Sequence, residues 1–222
     1  MSLRTLSIIY LTVTSLTILQ SCGEETPIAI DETAVKNEEY IANKEEIAFE
    51  EKMAKIDANK NLQKGNSLFY SRPDGASVDV ELFIDSNNAV VKMIEHYTTA
   101  TSQSLNSNVF YLDNNKKFAS RELFEYSAKD TLSFSERVTY YDKNEKPIAT
   151  KMRTAYYEEE LDYESFSLVE KRDCSLKRAI DVINQVGEYT TTFRGFVSEE
   201  PYLYLIVGED NMQGYSSSLV VQ

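Results

Sequence analysis

The chain has 222 residues, 42% of them hydrophobic and 11% aromatic, with seven glycines and two cysteines. That content is enough for one packed domain and a tether. The formal charge of −13 excludes nucleic acid and anionic lipid headgroups as electrostatic partners, because like charges repel.

Arg4 is the only charged residue before Cys22, and the stretch from Leu6 to Leu19 is apolar but interspersed with Ser and Thr. This stretch is shorter than the roughly 20 strongly apolar residues that a membrane-spanning helix requires. A positive start, a short apolar centre and a small residue at the end predict a secretory signal peptide over residues 1–21. Its close, Leu19-Gln20-Ser21-Cys22, resembles the lipobox of bacterial lipoproteins, where Leu and two mostly small residues precede the modified Cys. Gln20 departs from that pattern, and an ordinary signal peptide with a chance Cys is the alternative.

The resemblance implies a lipidation site at Cys22: a diacylglycerol thioether, cleavage just before the Cys, and acylation of the new amine by a palmitate-type chain. One acyl chain anchors marginally, whereas two or more hold a protein at the membrane. In Gram-negative lipoproteins an Asp after the Cys commonly retains the protein at the inner membrane. Gly23 stands there instead, so the outer membrane is the implied location. Glu24 and Glu25 resemble the acidic export signal of surface-exposed lipoproteins, which leaves the periplasmic side and the cell surface both open. The membrane is then a partner through the lipid on Cys22, and an envelope protein or lipid is the remaining class of partner.

Residues 22–36 hold Pro27 and several acids and read as an acidic tether. Residues 37–64 contain no Gly or Pro and are rich in helix formers, which predicts a long N-terminal helix closed by Gly65. Tyr40, Ile47 and Ala54 fall seven apart, and Phe49, Met53 and Ile56 share a helical stripe. Such a helix either lies on the following sheet or stands off the membrane as a spacer. The apolar stripe favours packing.

From Gly65 the pattern changes to period two. Residues 67–71 read as a short strand, and Arg72-Pro73-Asp74-Gly75 as a turn. Val78, Val80, Leu82 and Ile84 then alternate as one face of a strand.

Three segments repeat, at about 82–97, 110–126 and 139–156. In each, Asp is followed two places later by Asn: Asp85 and Asn87, Asp113 and Asn115, Asp142 and Asn144. A basic residue follows, Lys92, Arg121 or Lys151, and five residues on a tyrosine, Tyr97, Tyr126 or Tyr156. Asp and Asn bond their own backbone and tolerate left-handed dihedrals, so D-x-N predicts a hairpin tip. Three such units predict an antiparallel meander. The pattern faintly resembles MORN-type hairpin repeats, but the glycines that define those are absent.

A second helix is predicted near 173–186, with Asp173 as cap and Gly187 as stop. Strands are expected over 188–197, 201–207 and 214–221. PYLYLIV, apolar on both faces, is expected to lie centrally. The predicted fold is mainly β with some α: one domain over 65–222, a large antiparallel meander of about eleven strands, flat or curved toward a half-barrel.

Chemistry-bearing motifs are sparse. His96 is the only histidine, and one imidazole does not make a His-rich zinc site. Asp85-Ser86-Asn87-Asn88-Ala89 begins like a calcium loop and then lacks the required Gly and Glu. Lys92, Arg121 and Lys151 could form an anion-binding ladder, but pairing with neighbouring acids explains them as well. If Cys22 carries lipid, Cys174 has no disulfide partner. It follows Lys171 and Arg172 at an expected helix start, a setting that lowers a thiol pKa, yet a packed free cysteine is the preferred reading.

No catalytic, metal or cofactor-binding residue is expected. The function expected is a non-enzymatic binding or envelope-structural module anchored at the outer membrane. The alternative is a periplasmic carrier of lipid or lipoprotein, whose half-barrel fold the predicted element order resembles. A deep apolar cavity would favour the carrier, and a filled core the module.

Overall fold

The computed structural model describes residues 44–128, 131–211 and 213–221, so the lipobox, Cys22 and the tether lie outside the described residues. Helix α1 (Lys44–Asp57) is followed by β1 (Gln63–Asn66), β2 (Tyr70–Ser71), β3 (Ser77–Ile84), β4 (Val90–Thr99), β5 (Ser102–Asp113) and β6 (Lys116–Ala128). Then come β7 (Thr131–Tyr141), β8 (Pro147–Ala155), β9 (Ser167–Leu168), α2 (Lys177–Asn184), β10 (Phe193–Glu199), β11 (Tyr202–Gly208) and β12 (Ser216–Val220). The twelve strands form one open antiparallel sheet in the order β10-β11-β12-β2-β3-β4-β5-β6-β7-β8-β9, and β1 also pairs with β3. The meander from β3 to β8 follows chain order, as short hairpin connections dictate.

The helix expected over 37–64 is observed over Lys44–Asp57, and residues 37–43 lie outside the described residues. It stops early because the chain turns at Asn59, whose side chain accepts a hydrogen bond from the Asn61 amide at 3.0 Å. Gln63 then pairs with Ile84 of β3. The second helix is also shorter than predicted. The backbone of Cys174 is committed to the sheet: its carbonyl accepts from Lys117, and its amide donates to the Tyr141 hydroxyl at 3.0 Å. Asp173 pairs with Lys117 instead of capping, Leu176 takes the cap position, and Gln185 ends the helix in a left-handed conformation. Gly187 comes two residues too late to do so.

The two faces of the sheet have separate cores. On one, α1 crosses from β8 to β4, burying Met53 among Tyr111, Phe118, Ala119, Val138 and Tyr140. Phe49 stacks on Phe118 and Tyr140, with ring centroids 5.9 and 5.8 Å apart. Ile47 and Ala54, on the predicted seven-residue spacing, are exposed, and the buried stripe starts at Glu46 instead.

On the other face α2 packs against β3. Ala179 and Val182 join Tyr70, Val78, Val80, Phe110, Tyr189 and Cys174 in a second cluster. Residues 169–189 form a strap across this face. Val169 bonds Thr150 of β8, Cys174 bonds Tyr141 of β7, Arg178 bonds Glu95 of β4, and the Tyr189 carbonyl accepts from Tyr70 of β2.

β11 corrects the expectation drawn from PYLYLIV. It lies second from one end of the sheet, between β10 and β12, with both faces partly exposed.

Candidate functional site

The three hairpin tips differ in detail. The Asp85 Oδ1 accepts from the amides of Asn87 and Ala89 at 2.8 and 2.9 Å, and the Asp142 Oδ1 accepts from Asn144 and Lys146 at 2.7 and 3.0 Å. These bonds hold both carboxyls below the ordinary aspartate range. The Asp113 tip is a two-residue turn, with Asn114 and Asn115 at φ of 50° and 61°. Its Oδ2 pairs with Lys52 of α1 at 2.6 Å, and its Oδ1 accepts from the Asn114 side-chain amide at 3.0 Å. The carboxylates of all three tips thus serve turns or ion pairs. Among the described residues, no group of three His, Cys, Asp or Glu side chains is arranged to hold a metal ion.

Cross-strand register places Lys92, Arg121 and Lys151 on the α1 face, where helix acids meet two of them. Asp57 accepts from Lys92 at 2.8 Å and from the Tyr111 hydroxyl at 2.9 Å. Glu50 accepts from Lys151 at 2.7 Å and from the Tyr140 hydroxyl. Burial pushes the Glu50 carboxyl up, but the bonds from Lys151 and Tyr140 outweigh it and hold Glu50 below the ordinary glutamate range. Arg121 Nε lies 3.0 Å from Glu136 without hydrogen-bond geometry. The ladder is therefore a clasp for α1, with carboxylates already occupying the positions an anion would take. Sequence reasoning found the cations. It missed the helix acids, whose i, i+7 spacing at Glu50 and Asp57 is the signal that could have located them.

His96 lies on the α1 face between Asp79 and Ser107 of the neighbouring strands, partly exposed. Of the tyrosines, Tyr97 lies under Arg178, whose guanidinium sits 3.9 Å from the ring centroid. Tyr156 is exposed, and the side chain of Tyr126 lies outside the description. Cys174 is buried, and burial pushes its thiol up to about 12, the opposite of an activated nucleophile.

The strap leaves two grooves on the α2 face that share Arg137 and Arg172. One, of about 420 Å³, adds Met152, Val169, Glu170 and Lys171. The other, of about 270 Å³, adds Tyr97, Thr99, Asn106, Glu122, Phe124 and Glu125. Arg137 already pairs with Glu122 at 3.2 Å and lies 5.0 Å from the Phe124 ring centroid. Both grooves are mixed in charge and open to solvent. They suit polar contacts rather than the enclosure of an acyl chain.

The other unusual surface is the wing formed by β10, β11 and β12. Phe193, Phe196, Val197, Tyr202 and Val220 are all more than half exposed there. Among the described residues no helix is long and apolar enough to cross a membrane. Compared with protein-family models, with curated proteins and with solved structures, the chain finds no match.

Proposed function

We propose that this chain is a lipoprotein held at the outer membrane of a Gram-negative cell through lipid on Cys22, and that its sheet domain is a non-enzymatic binding or envelope-structural module. The observation that carries this reading is the sequence Leu19-Gln20-Ser21-Cys22 at the end of a short apolar run. Two features of the domain support a module over a carrier. Both sheet faces carry packed clusters beneath their helices, and the strap grooves are lined by charged side chains. Buried charge in a lipid-binding cavity would cost several kcal/mol per unpaired group.

The experiment is expression of the whole chain in a Gram-negative host, with membrane fractionation and mass spectrometry of the N-terminus. The expected result is a triacylated Cys22 in the outer-membrane fraction, and loss of membrane association in Cys22→Ser with the melting curve of the domain unchanged. Membrane association that survives Cys22→Ser after signal cleavage would overturn the anchor. Bound lipid recovered from the purified domain would favour the carrier.

A further inference from the structure

The two grooves on the α2 face adjoin through Arg137 and Arg172. Their lining balances three cations, Arg137, Lys171 and Arg172, against three carboxylates, Glu122, Glu125 and Glu170. The balance is local, since the chain as a whole carries a formal charge of −13. An anion or a cation gains little net attraction from such a lining. What the lining supplies is a dense set of hydrogen-bond donors and acceptors. Two aromatic rings, Tyr97 and Phe124, lie among them.

Several of these groups are held by the fold itself. The Arg137 Nη1 donates to the Glu122 Oε2 at 3.2 Å, and the two side chains are only 14% and 13% exposed. Each ring is backed by a guanidinium: Arg137 lies 5.0 Å from the Phe124 centroid, and Arg178 lies 3.9 Å from the Tyr97 centroid. The buried Asn106 donates its Nδ2 to the Ser104 carbonyl at 3.0 Å, which leaves its Oδ1 as an acceptor without a bond among the described residues. Polar groups fixed in advance lower the ordering cost of binding. Glu125 and Arg172 are different. Neither makes a side-chain hydrogen bond or ion pair among the described residues, so the fold does not consume them.

We propose that this groove binds a neutral saccharide, a proposal that rests on the reading of the domain as a binding module and names its ligand class. A sugar hydroxyl donates and accepts at once, so it matches guanidinium, carboxylate and amide groups set side by side. The C–H face of a sugar ring is apolar and packs on an aromatic ring. A groove open to solvent admits a stretch of oligosaccharide. Peptide is the poorer occupant. Extended peptides are commonly held by pairing with a free strand edge, whereas the floor strands β4 to β8 each have a neighbour on both sides.

The test is isothermal titration calorimetry on the secreted chain carrying Cys22→Ser, so that its outcome does not depend on the lipid anchor. The probes are maltotriose, cellotriose, xylotriose, laminaritriose and mannotriose, with trigalacturonate and trialanine as the charged and peptidic comparisons. The expected result is saturable binding of at least one neutral trisaccharide, with Kd on the order of millimolar or tighter. Glu125→Ala and Arg172→Ala are each expected to weaken it about tenfold with normal melting, because each removes a hydrogen bond to a charged group and no contact of the fold. No binding of any neutral trisaccharide in that range overturns the proposal and leaves the envelope-structural reading standing. So does binding confined to trigalacturonate or trialanine, or binding that both variants leave unchanged. New reducing ends released from a bound sugar would support the site and overturn the non-enzymatic reading instead.

Discussion

Arg178 of the strap and Glu95 of β4 form a two-pronged ion pair across 83 residues of chain: Nε donates to Oε1 at 2.7 Å and Nη2 donates to Oε2 at 2.9 Å. Glu95 is 1% exposed, and its Oε2 also accepts from Asn108 at 2.7 Å. The pair fixes α2 over the second core. Its energetic meaning is asymmetric, since a buried carboxylate is tolerable only while its donors stay in place.

Arg178→Met is therefore expected to destabilise the domain toward the lower end of roughly 3–5 kcal/mol, because Arg178 itself is 37% exposed and water relieves part of the loss. Adding Glu95→Leu is expected to recover most of that loss. Denaturant unfolding of the two single variants and the double variant checks this. Additive losses in the double variant would mean that the pair is not coupled.

The α1 clasp predicts an acid-sensitive contact. Glu50 has a folded-state pKa below its unfolded value, so its contribution is complete above the ordinary glutamate range of about 4.3. It is lost as pH falls through the folded value. Glu50→Gln is expected to lower the melting temperature at neutral pH, and to flatten its decline below about pH 4.5 relative to the parent chain. Melting curves across that window measure both effects.

The hairpin tips predict an unequal series. Asp85→Ala and Asp142→Ala each remove two side-chain-to-amide bonds from their own turn and are expected to lower the melting temperature by a few degrees. Asp113→Ala removes an exposed pair with Lys52 and an exposed bond from the Asn114 side chain, neither of which closes the backbone turn, and is expected to change it less. Calcium and chelator are expected to leave every curve in place. A shift of many degrees on chelation that disappears in one variant would identify a bound cation in place of turn bonds.

Cys174 is expected to resist thiol reagents in the folded protein. Burial raises its thiol to about 12 and shields the sulfur, so the reactive thiolate is scarce at neutral pH. Labelling is expected at the rate of unfolding, accelerating in step with denaturant. Rapid labelling of the native protein would show that the strap opens over this site.

The sequence by itself determined the features that are local. Period-two alternation marked β3, D-x-N marked two tips that close through their own side chains, and Asn114-Asn115 gave a third with left-handed dihedrals. Residues a few places apart set these features, so adjacent residues sufficed to read them. The lipobox is similarly local, a short string recognised in extended form.

The helix ends were decided by tertiary contacts. The α2 boundary moved because Lys117 and Tyr141, far away in sequence, bind the backbone of Cys174 and hold it out of the helix. The position of β11 was not legible either. An apolar strand reads as central wherever it lies, and only the order of pairing places it beside an edge. The carboxylates that neutralise Lys92 and Lys151 lie on a helix 35 and 101 residues upstream. Charge pairing across such separations depends on which face of the sheet the helix covers, and that is settled when the apolar stripe of Phe49, Met53 and Ile56 finds its cover.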